Sequence, residues 1–357
     1  MKRHRQLLLL IAVAIYLLQL LQYRGYLLDD SFISLRYARN LVDGQGLVFN
    51  PGERVEGYTN FLFVLVAAVF LRIGIEPIAG LKWLGAAMAL WVLWLLRTLE
   101  RRMTSGENSE RSPPFSVALL LPLPAFAYWS VCPMETMWFT ALLLWALSLT
   151  LGERTPRRLN GAALVFVLLS LTRPEGAYLF AVWTGILLIL DYRRGDRAIL
   201  LVRYVQGVAI FAGLFGGDVV WRHQYYGSWL PNTFHAKVVG GEGQLLNGLS
   251  YLKDWLLAFP VLATVLLLPV GLVSRRTRVG RNVPQSVTAL YLLTIAYIIY
   301  VVLIGGDFMP FFRFLLPIMP VCCLLLAWVW RDVVVPRAPG AIAVAIVVWV
   351  CTWCAAL

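Results

Sequence analysis

Apolar runs follow one another along nearly the whole chain, near 6–28, 61–74, 80–97, 115–131, 136–151, 160–172, 176–191, 204–221, 255–273, 285–304, 314–330 and 340–357. A helix needs about 20 apolar residues to cross roughly 30 Å of hydrocarbon. The pattern therefore predicts an all-α, polytopic transmembrane bundle of about 11–12 hydrophobic segments, a single unit over 1–357 with no soluble C-terminal domain. Between the first two runs lies a polar stretch, 29–60, that opens on Asp29-Asp30. Within it Ser31 to Val42 reads as an amphipathic helix on the membrane surface, with Phe32, Leu35, Ala38 and Leu41-Val42 on one face and Arg36, Arg39 and Asn40 on another. Gly44 and Gly46 stop it, and Asp30 is the natural N-cap.

Composition agrees with a lipid solvent. The 357 residues are 60% hydrophobic and 14% charged, against roughly a quarter charged in soluble domains. The net charge of +12 does not point to nucleic acid, because the basic residues are mostly arginines in short clusters between apolar runs. These clusters are KRHR at 2–5, RTLERR at 97–102, ERTPRR at 153–158, DYRRGDR at 191–197 and RRTRVGR at 275–281. Such clusters orient membrane proteins by remaining in the cytoplasm. With the N-terminus inside, the loop 29–60, CPMET at 132–136, RPEG at 173–176, the loop 222–254 and GGDFMPFFR at 305–313 all fall outside. The parity closes if one of the runs 61–74 and 80–97 does not cross fully; otherwise RTLERR at 97–102 breaks the rule. The run 61–74, about 21 Å long as a helix, is the expected short one.

The start of the chain reads as an uncleaved first helix, since a basic n-region and apolar core lead to no small-x-small site. Five cysteines (Cys132, Cys322, Cys323, Cys351, Cys354) lie in or beside apolar runs and form no disulfide framework.

Candidate chemistry gathers in the outer loops. Asp29 and Asp30 could act as general base towards a hydroxyl or help hold a divalent cation (Mg, Mn or Ca) against a phosphate; one of them could instead simply cap a helix. Arg173 could pair with Glu175 in a tight turn or bind a phosphate oxygen bidentately. Arg313, in the apolar run FMPFFRFLLPIMP, requires an anion, either Asp307 or a lipid phosphate. Glu135 could serve as a charge at a helix N-terminus. In WRHQYYGSWLPNTFHAK, aromatics of an interfacial belt precede Asn232, His235 and Lys237, and Trp and Tyr faces suit sugar rings.

Taken in order, DDSFISLRYARNLVDGQGLVFNPGERVEGYTN, PMET, TRPEG, PNTFHAK and GGDFMPFFRFLLPIMP resemble GT-C membrane glycosyltransferases, in particular the mycobacterial terminal β-(1→2) arabinofuranosyltransferases and their bacterial homologues. The resemblance runs through about residues 1–320. It implies a multi-pass protein of the bacterial inner membrane with an extracytoplasmic active site. It further implies a polyprenyl-phosphate-linked sugar donor, for example of a pentofuranose such as arabinofuranose, and a glycan or lipid acceptor among membrane lipids. The base would be Asp29 or Asp30, with Asp29 preferred. The donor phosphate would lie near Arg36, Arg173, Lys237 and Arg313; acceptor and sugar would lie near Glu56, Tyr58, Asn60, Glu135, Asn232, His235 and Asp307. The alternatives are a flippase for a polyprenyl-linked sugar and a non-catalytic envelope or flagellar accessory protein. A flippase would place charged groups near mid-membrane rather than on one face.

Overall fold

A computed structural model describes residues 2–103, 114–193, 197–233, 242–268 and 283–334. His235, Lys237, Cys351, Cys354, the basic cluster at 275–281 and the apolar run 340–357 lie outside the described residues.

The regular elements among the described residues are helices: α1 (Lys2–Tyr23), α2 (Asp30–Val42), α3 (Phe61–Arg72), α4 (Pro77–Met103), α5 (Phe115–Leu120), α6 (Pro124–Val131), α7 (Thr136–Thr150), α8 (Pro156–Thr172), α9 (Glu175–Tyr192), α10 (Arg197–Tyr226), α11 (Glu242–Ala258), α12 (Pro260–Ala263), α13 (Gln285–Leu303) and α14 (Met319–Val329). Five stretches are long and apolar enough to cross a membrane: Gln6–Tyr23, Pro77–Met103, Glu175–Tyr192, Tyr204–Tyr226 and Gln285–Leu303. Two bent pairs raise the number to as many as seven: α6 with α7 at 109°, and α11 with Pro260–Leu267 at 111°. Proline explains both breaks in the expected runs. Pro122 and Pro124 divide 115–131 into α5 and α6, and Pro260 opens α12 after Phe259; a proline ring and missing N–H do not fit a helix interior.

Two expected boundaries move. The loop expected over 222–254 is largely helix: α10 continues to Tyr226, and α11 begins at Glu242. In α11, Gly248, Tyr251, Leu252 and Trp255 recur at helical spacing, and α11 packs against α13. The backbones meet closely, since a Cβ on Gly248 would fall 2.0 Å from the Val302 carbonyl oxygen. The run 314–330 begins with short 3₁₀ turns, and only Met319–Val329 is α-helix. Helix α3 has 12 residues, about 18 Å, which is shorter than a span.

α8 packs against α7, α9 and α10. One continuous apolar core joins α1, α4 to α9 and the C-terminal helices. A second, smaller core sits under α2 and α3 and includes Tyr37, Tyr58, Phe63 and Trp138.

Candidate active site

Helix α2 forms where the sequence predicts it, but Asp29 rather than Asp30 is its cap. The chain already turns at Leu28, and Asp29 Oδ1 accepts the Asp30 N–H at 3.0 Å. Its buried face also differs from the expected one. Ser31, Ser34, Tyr37, Ala38 and Asn40 are buried, while Phe32 is half exposed. Polar groups go inward here because each of three anchors finds a partner. Ser34 hydrogen-bonds Asn60, Tyr37 Oη donates to the Val55 carbonyl at 2.7 Å, and Asn40 Nδ2 donates to the carbonyls of Val48 and Phe49. The segment after α2 is thereby held against it. Gly44 and Gly46 end the helix with φ of 77° and 87°, backbone that side-chain-bearing residues rarely adopt.

The outer side of α2 borders an open groove of about 590 Å³, in which Asp29, Arg36 and Arg39 stand among apolar residues such as Phe32, Leu35 and Phe49. Arg36 Nε donates to the Phe49 carbonyl at 3.2 Å. No carboxylate pairs with Arg36 or Arg39 among the described residues.

A buried polar chain leads from α2 into the bundle. Asn60 Nδ2 donates to Glu135 Oε2 at 3.1 Å, and Arg173 Nη1 donates to Glu135 Oε1 at 3.1 Å. Arg173 also grips Glu175 through Nη2 (2.7 Å) and Nε (3.4 Å). Burial disfavours the charge on Arg173, but Glu175 and Glu135 hold its pKa above the ordinary value, so it stays cationic. Its guanidinium carbon lies 4.7 Å from the centre of the Phe314 ring, and that of Arg313 lies 5.1 Å from the same ring. Arg313 Nε donates to Asp307 Oδ2 at 2.7 Å. Gly305 and Gly306, with φ of 89° and 72°, make the turn that brings Asp307 round. Phe311 and Phe312 adopt left-handed backbone as well, a conformation costing about 1–3 kcal/mol per residue that recurs at functional sites.

The structural alternatives for Arg173 and Arg313 are thus realised: each has an internal carboxylate. Phosphate would meet only the N–H groups left over. Glu175 enters α9 directly because Gly176 follows it; a Cβ there would lie 2.5 Å from the Ser170 nitrogen.

A second cluster fixes the end of the 29–60 segment. Arg222 Nη1 donates to Glu56 Oε1 at 2.9 Å, and its Nε lies 3.1 Å from Asp218 Oδ2. Burial pushes the Glu56 carboxyl above the usual range, with Arg222 opposing the shift. The Tyr58 and Tyr226 hydroxyls meet at 3.2 Å, and Asn232 N–H donates to the Glu56 carbonyl at 2.9 Å. Tyr225 and Tyr226 clasp Leu47 by its N–H and carbonyl.

The structure therefore joins Asn60, Glu135, Arg173, Arg313 and Asp307 in one cluster and Glu56, Tyr58 and Asn232 in another, while Asp29 and Arg36 line the groove and Asp30, in the first turn of α2, does not. Sequence reasoning missed Ser34, Asp218 and Arg222. The last two carried a signal: an Asp and Arg four apart within an apolar helix are ion-pair partners on one face. Among the described residues no three of His, Cys, Asp and Glu converge to form a cation cage.

These features define a class: a polytopic, all-helical membrane bundle with its polar cluster at one end. The structure matches that of ArnT from Cupriavidus metallidurans bound to undecaprenyl phosphate, with a TM-score of 0.62 and 15% identity over 96% of this chain and 62% of that one. The apo form of the same protein matches with a TM-score of 0.59. In sequence the chain is similar to the terminal β-(1→2)-arabinofuranosyltransferases of Corynebacterium glutamicum (28% identity, 87% of this chain) and Mycobacterium tuberculosis (29%, 85%). It spans about half the length of these curated relatives, 50% and 53%. No protein-family model matches the chain. The resemblance read from the motifs is borne out.

Proposed function

We propose that this chain is a membrane glycosyltransferase that moves a sugar, in the simplest case an arabinofuranose, from a polyprenyl-phosphate donor to a glycan or lipid acceptor on the extracytoplasmic face. The observation that carries the reading is convergence. The 29–60 segment, PMET, TRPEG and GGDFMPFFR are far apart in sequence, yet their polar residues form one hydrogen-bonded chain from Ser34 to Glu175, with Asp307 and Arg313 set against it through Phe314. A bundle that needed only to be stable in lipid would not bury so many charges at one end. The relatives' names and the undecaprenyl phosphate bound to ArnT supply the substrate class. The basic clusters at the opposite end of the bundle support an extracytoplasmic position for this one.

Asp29 is the proposed base, with Asp30 beside it. One Asp29 oxygen caps α2 and the other is free to face the groove. As the carboxylate takes the acceptor proton, the acceptor oxygen bonds to the anomeric carbon and the bond to the phosphate breaks, the electron pair leaving with the lipid phosphate. The cationic transition state resembles that of glycoside hydrolysis. Arg36 and Arg39, which line the groove, are placed to steady the departing phosphate. Glu135 and Arg173 keep the loop in position, and Glu56, Tyr58, Asn60 and Asn232 bound the acceptor side.

The test is sugar transfer by Asp29→Asn and Asp30→Asn, each in membranes, from a polyprenyl-phosphate pentose. Losing a general base typically costs about 10²–10⁴-fold, so at least one variant should lose that much while inserting normally. Full activity in both would remove the assignment.

A further inference from the structure

The end of α8 remote from Arg173 carries a separate feature. An open groove of about 490 Å³ runs between α7 and α8. Its floor is apolar, with Trp145 and Leu149 from α7 and Leu164 and Leu168 from α8. Leu164 is 47% and Leu168 36% exposed, so among the described residues nothing covers this wall. Its mouth carries Arg157 and Arg158.

The surrounding basic residues are accounted for differently. Arg154 pairs with Asp191, and Arg102 Nη1 donates to the Ser148 carbonyl at 2.6 Å. Arg157 and Arg158 have no carboxylate partner among the described residues; Arg158 donates to the Glu153 carbonyl at 3.3 Å. Both stand in the first turn of α8, after the Thr155 cap and Pro156. The positive end of a helix dipole disfavours cations there. An anion seated between the two guanidinium groups would satisfy both them and the dipole. From Arg157 to Leu168 the apolar wall extends about 16 Å, a length suited to an acyl chain and of no use to a free anion.

We propose that this groove binds one anionic phospholipid from the leaflet on the basic-loop side, its phosphate between Arg157 and Arg158 and an acyl chain along Leu164 and Leu168. Basic pockets between helices at the cytoplasmic face hold lipid headgroups in this way. The proposal is independent of the sugar-transfer reading, whose residues lie at the other end of α8.

Native mass spectrometry of the full chain, offered phosphatidylglycerol and phosphatidylcholine together, tests it. The wild type should retain one phosphatidylglycerol in preference. R157Q/R158Q should reduce that preference roughly tenfold or more. Gly161→Leu should do the same with no change of charge, because Gly161 lines the groove and its Cβ would meet Leu149 at an ordinary 3.7 Å. A charge-matched control, R101Q/R193Q, should leave the preference intact. Equal retention in every variant, equal loss in the control, or displacement of the lipid by inorganic phosphate would each overturn the proposal.

Discussion

Glu56 is the residue whose environment has the most direct solution consequence. It is 5% exposed, bonded to Arg222, and held above the usual carboxylate range by burial. A carboxyl raised on folding contributes stability that is complete below its unfolded pKa, about 4.3, and is lost as pH rises through the folded value. Thermal unfolding of the detergent-solubilised protein should therefore show a fall in Tm as pH rises just above that value. Glu56→Gln should abolish this step; a variant with the same pH profile as the wild type would contradict the assignment. Glu56 was legible as a polar candidate in the sequence. Its partner was not, because 166 positions separate it from Arg222 and only the fold brings them together.

At the level of elements, local signals worked where they were local. The α2 span, its glycine stop and the sharp turn at Gly305-Gly306 all follow from backbone preferences visible in a few residues. The buried face of α2 did not follow, since an apolar-face rule cannot foresee Ser34 and Asn40 being satisfied inside by Asn60, Val48 and Phe49. The second polar loop was also overdrawn, because a moderately polar helix such as α11 reads as a loop beside richer spans. Its seating on α13 gives a prediction: Gly248→Ala should destabilise by about 1–3 kcal/mol through overpacking. Gly213→Ala, with open space around it, should be neutral or gain up to about 1 kcal/mol from helix propensity. Denaturation in detergent measures both, and equal behaviour of the two glycines would show that α11 and α13 do not meet as described.

The whole molecule poses the question of which helices cross. The twelve-residue α3 is shorter than a span and the 27-residue α4 is long enough for one, lengths that fit the parity the basic clusters demand if α3 does not cross. A cysteine at Ile75 should then react with a membrane-impermeant reagent from the same side as one at Asn50, and one at Arg101 from the opposite side. Labelling of positions 50 and 75 from opposite sides would mean that α3 spans. The overall class was legible because hydropathy and basic clusters both register the membrane. The ion pairs within it were not, since pairing depends on helix order around the bundle, which no linear pattern records.

Glu135 has one oxygen on Asn60 and the other on Arg173. The outer segment and the interior of the bundle are therefore not separate mutational territories. Once one of these two bonds is removed, the remaining partner is already loosened, and the second loss adds less than it would alone. A substitution in the α8–α9 turn should thus impair the proposed sugar transfer without touching substrate, through non-additive coupling across a single shared carboxylate.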